Sequence, residues 1–155
     1  MSGFRTEIDD FNMFGTKTKQ YGLRFFYHPH GYEFITPDGN MLDLIIEGTN
    51  PDLVTYELDV FWMIHGGADP VNYLNKYPGR FELMHLKELR HDIPGNNTGS
   101  APDATSVSPG RGVTNWPLLL RKAAKSGVKK YYIEDEAKDA KDQVPVTINF
   151  LNSLK

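Results

Sequence analysis

With 155 residues the chain is long enough for one domain with a real hydrophobic core, and 39% hydrophobic against 24% charged residues is the balance of an ordinary globular protein. A formal charge of -3 leaves no broad basic surface for nucleic acid, and no apolar run reaches the roughly 18 residues of a membrane span. The opening MSGFRTEIDD lacks a signal peptide's apolar core, so a cytoplasmic location is expected; the absence of cysteine leaves His, Asp and Glu as the ligands for any metal.

In chain order, Glu7 to Gln20 carries Ile8, Phe11 and Phe14 at near-helical spacing and predicts a helix that Gly15 weakens. A strand is expected over 22–28, opened by Gly22, filled by Leu23, Phe25, Phe26 and Tyr27, and ended by Pro29 and Gly31. Met41 to Ile46 reads as a short helix, with Asn50 and Pro51 marking its end. A second strand spans 54–60. Asp69 as N-cap and Pro70 at the first helical position begin a helix that Pro78 and Gly79 stop. A third strand spans 81–87. The stretch 90–111, rich in Gly, Ser, Pro and Asn, has no apolar period and predicts a long loop of the kind that is functional or mobile in a compact domain. Asn115 caps a further helix, with Pro117 in its first turn and Gly127 past its end. A fourth strand over 128–134 and a closing helix from near Pro145 complete the chain.

Four strands, each followed by a helix, predict an α/β fold of parallel strands with right-handed crossovers, whose sites lie at the strands' carboxyl ends. Each strand delivers ionisable groups there: His28 with His30 and Glu33, then Asp59, then His85 with Lys87 and Glu88, then Glu134 with Asp135 and Glu136. Taken singly, His85 reads as a satisfied core histidine, Glu134 as part of a solvated acidic run, and Asp59 as half of a salt bridge. Four coincidences in one register point instead to side chains gathered around one divalent cation.

The segments GLRFFYHPHGYEF, NPDLVTYELDVFWMIHGGADPVNYLNKYPGRFELMHLKE, GRGVTNWPLLL and GVKKYYIEDE resemble those of the sugar phosphate isomerase/epimerase family, which has a xylose isomerase-like TIM barrel. The likeness runs from about Phe11 to Leu154 and matches the barrel's C-terminal half, about four βα units, so the chain is expected to be a single half-barrel domain over 1–155. The resemblance implies a ligand set of His28, Asp59, His85 and Glu134. His28 stands where the family usually has glutamate, although the subgroup with a YHxHxxEF signature has histidine there too. Imidazole in that place favours Mn, Zn or Fe over Mg. Proton transfer falls to His28, His30 or Glu134, and substrate contacts to Glu33, His65 and Lys87. Gly110 to Gly112 bring backbone near the site, and Glu33 is an alternative fourth ligand.

The implied activity is a metal-dependent isomerase or epimerase acting on a sugar or keto-sugar by proton abstraction beside a carbonyl. Loss of one of the family's two glutamates puts two-base epimerisation in doubt. The alternatives are a lyase or dehydratase of keto-sugars or glycosides, and a catalytically incomplete sugar-binding half barrel. The barrel type also occurs in DNA repair, which the missing basic groove disfavours. Half a barrel leaves an inner face, expected around Leu23, Phe25, Val54, Leu83 and Val128, to be covered by a second copy or a complementary chain.

Overall fold

The computed structural model describes residues 2–34 and 40–154, with side chains from residue 6 onward. Helix α1 (Ser2–Lys19) leads to strand β1 (Phe25–Tyr27) and a single 3-10 turn at Tyr32–Phe34. Gly15 does not interrupt α1: a Cβ there would lie 2.6 Å from the carbonyl oxygen of Leu53, so the missing side chain lets the helix lie close against the backbone at residue 53. Gly22 was expected to open β1; at φ +70 it instead ends the turn that closes α1, in the left-handed region where glycine is at ease, and the strand starts three residues later.

Helix α2 (Met41–Gly48) is capped by the Asn40 side chain. Strand β2 (Val54–Asp59) then runs without any loop into helix α3 (Val60–His65), which the sequence reading, with its strand ending at residue 60, did not foresee. Helix α4 (Pro70–Lys76) has Asp69 as N-cap with proline in its first turn, as expected. Strand β3 (Phe81–Leu86) is followed by a two-residue strand β4 (Glu88–Leu89). The expected loop over 90–111 contains a 3-10 turn at Asp103–Thr105 and a short strand β5 (Ser106–Val107) antiparallel to β4. Helix α5 (Trp116–Ser126) ends on Gly127 in the left-handed conformation, and β6 (Lys130–Ile133) follows, shorter than the expected 128–134 because Val128 still bonds back to the Ala123 carbonyl. The last helix, α6 (Ala140–Ser153), begins before Pro145 and contains it. The Asp139 carbonyl receives the Asp142 and Gln143 amides, so the first turn is already made when proline withholds its own.

The order β1-β2-β3-β6 is parallel throughout, with Asp59 beside His85 and His85 beside Tyr132. Because side chains alternate, with the extra residue of β3 at the register shift keeping Phe81 in phase with Met84, one face carries Tyr56, Leu58, Phe81, Met84 and Leu86 into a core with Leu42, Ile45, Ile46, Leu74, Trp116 and Leu119. Phe25, Val54 and Val128 belong to this helix-covered side and not to the inner face expected of them. The open face shows Phe26 and Tyr132, exposed by 43% and 44%, around an Arg24–Glu82–Lys129 ion-pair chain with Nη2–Oε1 and Nζ–Oε1 distances of 3.1 and 3.0 Å. The architecture is an α/β half barrel: one layer of helices, one parallel sheet, and an uncovered inner surface. Light scattering at micromolar concentration is expected to find a dimer or larger species, because exposed aromatic rings and unpaired sheet edges favour association. A monomer with a cooperative melt would contradict that expectation. Among the described residues no helix is long and apolar enough to cross a membrane.

Candidate metal centre

At the carboxyl ends of the strands the side chains of the open face converge. Asp59 is the last residue of β2 and the N-cap of α3: Oδ1 accepts the Trp62 amide at 2.8 Å, and Oδ2 is left pointing into the cluster. That double duty explains a fully buried carboxylate between Leu58 and Val60. Around Oδ2 lie His28 Nε2 at 3.6 Å and His85 Nδ1 at 3.4 Å, and Glu134 Oε2 is in contact with the same His85 nitrogen.

Three of these atoms, His28 Nε2, Asp59 Oδ2 and His85 Nδ1, are buried without an aligned hydrogen bond, and the last has only the carboxylates of Asp59 and Glu134 against it. Polar atoms abandoned together in this way are expensive unless an ion binds them. Ligand atoms of Asp59, His85 and Glu134 lie within 4.8 Å of one another, and so do those of His28, Glu57 and His85. The donor set of imidazole and carboxylate therefore fits a divalent cation.

The electrostatics agree with a gathering of acceptors. Burial draws the His85 imidazole down, but the carboxylates of Asp59, Glu134 and Glu57 outweigh it and hold the ring at about 10. The His85 ring, against the opposing effect of burial, and the Lys87 ammonium bring the Glu134 carboxyl down to about 2. Burial lowers His28, helped by the neighbouring His30 and His85 rings and opposed chiefly by Asp59.

His30 stacks on His28 with ring centroids 4.5 Å apart, and its Nδ1–H donates to the His28 carbonyl at 3.1 Å, leaving Nε2 as its basic nitrogen. Lys87 is buried with its ammonium on Glu134 Oε1 at 2.9 Å and on Glu136, over the faces of Phe61 and Trp62. The structure thus brings His28, Asp59, His85 and Glu134 together, with His30 and Lys87 beside them. Three other expected participants lie apart from the cluster. The Glu33 carboxylate is buried and accepts from the Tyr27 hydroxyl at 2.6 Å, the His30 amide at 3.0 Å and the Gly31 amide at 2.8 Å, so it shapes the turn after β1. His65 packs on Phe61 and Trp62 and bonds to the Asn96 backbone. Glu88, a strand-end acid in the sequence reading, faces away: it accepts from the Gly110 and Thr114 amides, the Thr114 hydroxyl and the Trp116 indole, so that the Gly110 amide is held by Glu88.

Glu57 is the cluster residue that the sequence reading missed. Its side chain is 5% exposed, and its two oxygens take His28 Nδ1 at 3.1 Å and His85 Nε2 at 3.0 Å. The signal was present: in VTYELDV, Glu57 and Asp59 stand two apart and so share a face of the strand.

No protein-family model matches the chain. By fold the chain is a xylose isomerase-like half barrel. It is similar to a sugar phosphate isomerase/epimerase structure from Parabacteroides distasonis, at 27% identity and a TM-score of 0.78, over 96% of this chain and 53% of that one. Its fold also matches that of the IolI protein with a binding zinc atom, at 16% identity and a TM-score of 0.71, over 97% of this chain and 55% of that one. Among curated proteins it is 25% identical to an inosose dehydratase of Mesomycoplasma hyopneumoniae, over 97% of this chain and 54% of the relative. The chain spans about half the length of the proteins it matches end to end. The resemblance read from the sequence holds: its structural neighbours are sugar phosphate isomerase/epimerase and xylose isomerase-like TIM barrel proteins, and its relatives are enzymes.

Proposed function

We propose that the chain supplies one half of a divalent-metal-dependent dehydratase acting on a keto-sugar or on a keto-cyclitol of the inosose kind. The observation that carries the reading is the convergence of His28 Nε2, Asp59 Oδ2 and His85 Nδ1, buried and without aligned hydrogen bonds, on one point with Glu134 at the ends of parallel strands. The end-to-end likeness to an inosose dehydratase favours elimination over the isomerisation expected from the sequence. His28, Asp59, His85 and Glu134 would hold the ion. Once bound it would supply Lewis acidity at the substrate's carbonyl oxygen.

His30 takes the proton from the carbon beside the carbonyl through Nε2, the nitrogen left free when Nδ1 donates to the His28 carbonyl. The electron pair of the broken C–H bond forms a C=C bond as the C–O bond of the neighbouring hydroxyl breaks. The hydroxyl leaves with the proton His30 collected, as one molecule of water. Lys87 holds the Glu134 carboxylate in place and keeps the buried negative charge balanced. A second set of four βα units, from another copy or from a complementary chain, covers the open face and completes the pocket.

An isomerase reading keeps the first step and returns the proton to another carbon; the likeness to the Parabacteroides sugar phosphate isomerase/epimerase favours it. Incubation of the metal-loaded barrel with inosose in deuterated water separates the readings. Dehydration predicts a product lighter by one water, and isomerisation predicts an isomer carrying solvent deuterium. Neither product and no deuterium in recovered substrate, despite bound metal, would leave only a sugar-binding half barrel.

A further inference from the structure

We propose that Glu57 is a positioning residue, a single carboxylate that sets the tautomers of both His28 and His85 and so decides which nitrogen each ring offers to the metal. The inference deepens the metal-centre reading above and rests on it. Glu57 lies in β2 just after the irregularity between Tyr56 and Glu57, where the strand's pairing with β3 shifts by one residue. Its side chain is nearly inaccessible, and it spans the two rings: Oε2 meets His28 Nδ1 at 3.1 Å and Oε1 meets His85 Nε2 at 3.0 Å.

An ionised carboxylate only accepts, so each of these nitrogens must carry its hydrogen. In the neutral rings that a metal would bind, displacing the second proton of His85, the lone pairs then fall on the opposite nitrogens, His28 Nε2 and His85 Nδ1. Those two ring atoms are buried without an aligned hydrogen bond, and both face the same oxygen, Asp59 Oδ2, at 3.6 and 3.4 Å, with Glu134 also against His85 Nδ1. Two rings that reach one point through different nitrogens are what a shared acceptor on their far side imposes. Such a partner also fixes ring orientation and makes the imidazole a better donor to metal.

The competing arrangement makes Glu57 itself a ligand, with His28 Nδ1 and His85 Nε2, since these atoms are also close enough to share an ion. It would leave His28 Nε2 and Asp59 Oδ2 buried without an aligned hydrogen bond, and would spend Glu134 on an ion pair with His85 Nδ1 outside the site. The geometry therefore favours the first arrangement.

Long-range proton–nitrogen NMR on the zinc-loaded chain reads the answer directly, because zinc is diamagnetic and each histidine reports the nitrogen that carries it. The expected result is zinc on Nε2 of His28 and on Nδ1 of His85. Zinc on Nδ1 of His28 and Nε2 of His85 would make Glu57 a ligand and overturn the proposal. If no zinc binds, the metal reading fails separately, and the metal-free spectrum decides the tautomer: His28 protonated on Nδ1 upholds the positioning role, and on Nε2 refutes it. Glu57→Gln extends the test. Its side-chain amide accepts at one atom and donates at the other, so it cannot serve both rings, and zinc affinity should fall by about 10–100-fold with the fold retained. An unchanged affinity would contradict the role.

Discussion

Asp59→Asn is expected to abolish tight metal binding while leaving the helix α3 cap intact. The asparagine oxygen can still accept the Trp62 amide, which Oδ1 now takes at 2.8 Å, but an NH2 group replaces the oxygen that faces both imidazoles. Affinity should drop by about 100-fold or more, beyond what loss of an outer partner causes. Asp59→Ala removes the same ligand and also the cap, at an added cost of about 1 kcal/mol in stability. Glu134→Ala should lose metal with little loss of structure, since the residue is partly exposed at the end of the sheet and Lys87 retains Glu136. Plasma emission spectrometry on the purified variants, with circular dichroism as the control for folding, measures both. Unchanged metal content in Asp59→Asn and Glu134→Ala together would sink the site assignment.

The largest effect on stability is expected from Glu88→Ala. This fully buried carboxylate gathers four donors: the Gly110 and Thr114 amides at 3.1 and 3.0 Å, the Thr114 hydroxyl at 2.6 Å and the Trp116 indole. Alanine would leave these donors without their acceptor at the point where the 90–111 segment rejoins the core. Hydrogen bonds to a charged acceptor and the desolvation of orphaned donors suggest a loss of about 3–5 kcal/mol. Urea unfolding followed by tryptophan fluorescence would report it, and a loss within about 0.5 kcal/mol, the range of ordinary surface substitutions, would contradict the structural role. Gln at the same position should fall between the two.

The sequence made the alternation of strand and helix readable because its punctuation is local. Asp69 before Pro70, Asn115 ahead of Pro117 and Gly127 at a left-handed cap each act through a neighbouring backbone group, and each stands where expected. The strand-end residues were readable because neighbouring parallel strands bring His28, Asp59, His85 and Glu134 to the same, carboxyl end of the sheet. What escaped depends on side-chain direction. Lys87 and Glu88 are consecutive, so one turns to the cluster while the other turns to the Trp116 side, which position along the chain does not reveal. Glu33 has the composition of a substrate contact, but the tight turn after β1 folds its carboxylate back onto the His30 and Gly31 amides. Helix α3 was hidden because Asp59 ends a strand and caps a helix at once, leaving no loop to mark the change and a β-like composition, VFWMIH, on the helical side.

The claim that a metal is held at the strand ends is tested most directly by anomalous diffraction at the zinc edge from crystals grown with zinc. One peak is predicted within about 2.0–2.3 Å of His28 Nε2, Asp59 Oδ2, His85 Nδ1 and a Glu134 oxygen. A fully occupied peak elsewhere, or none at this place in crystals whose protein binds zinc in solution, would contradict it.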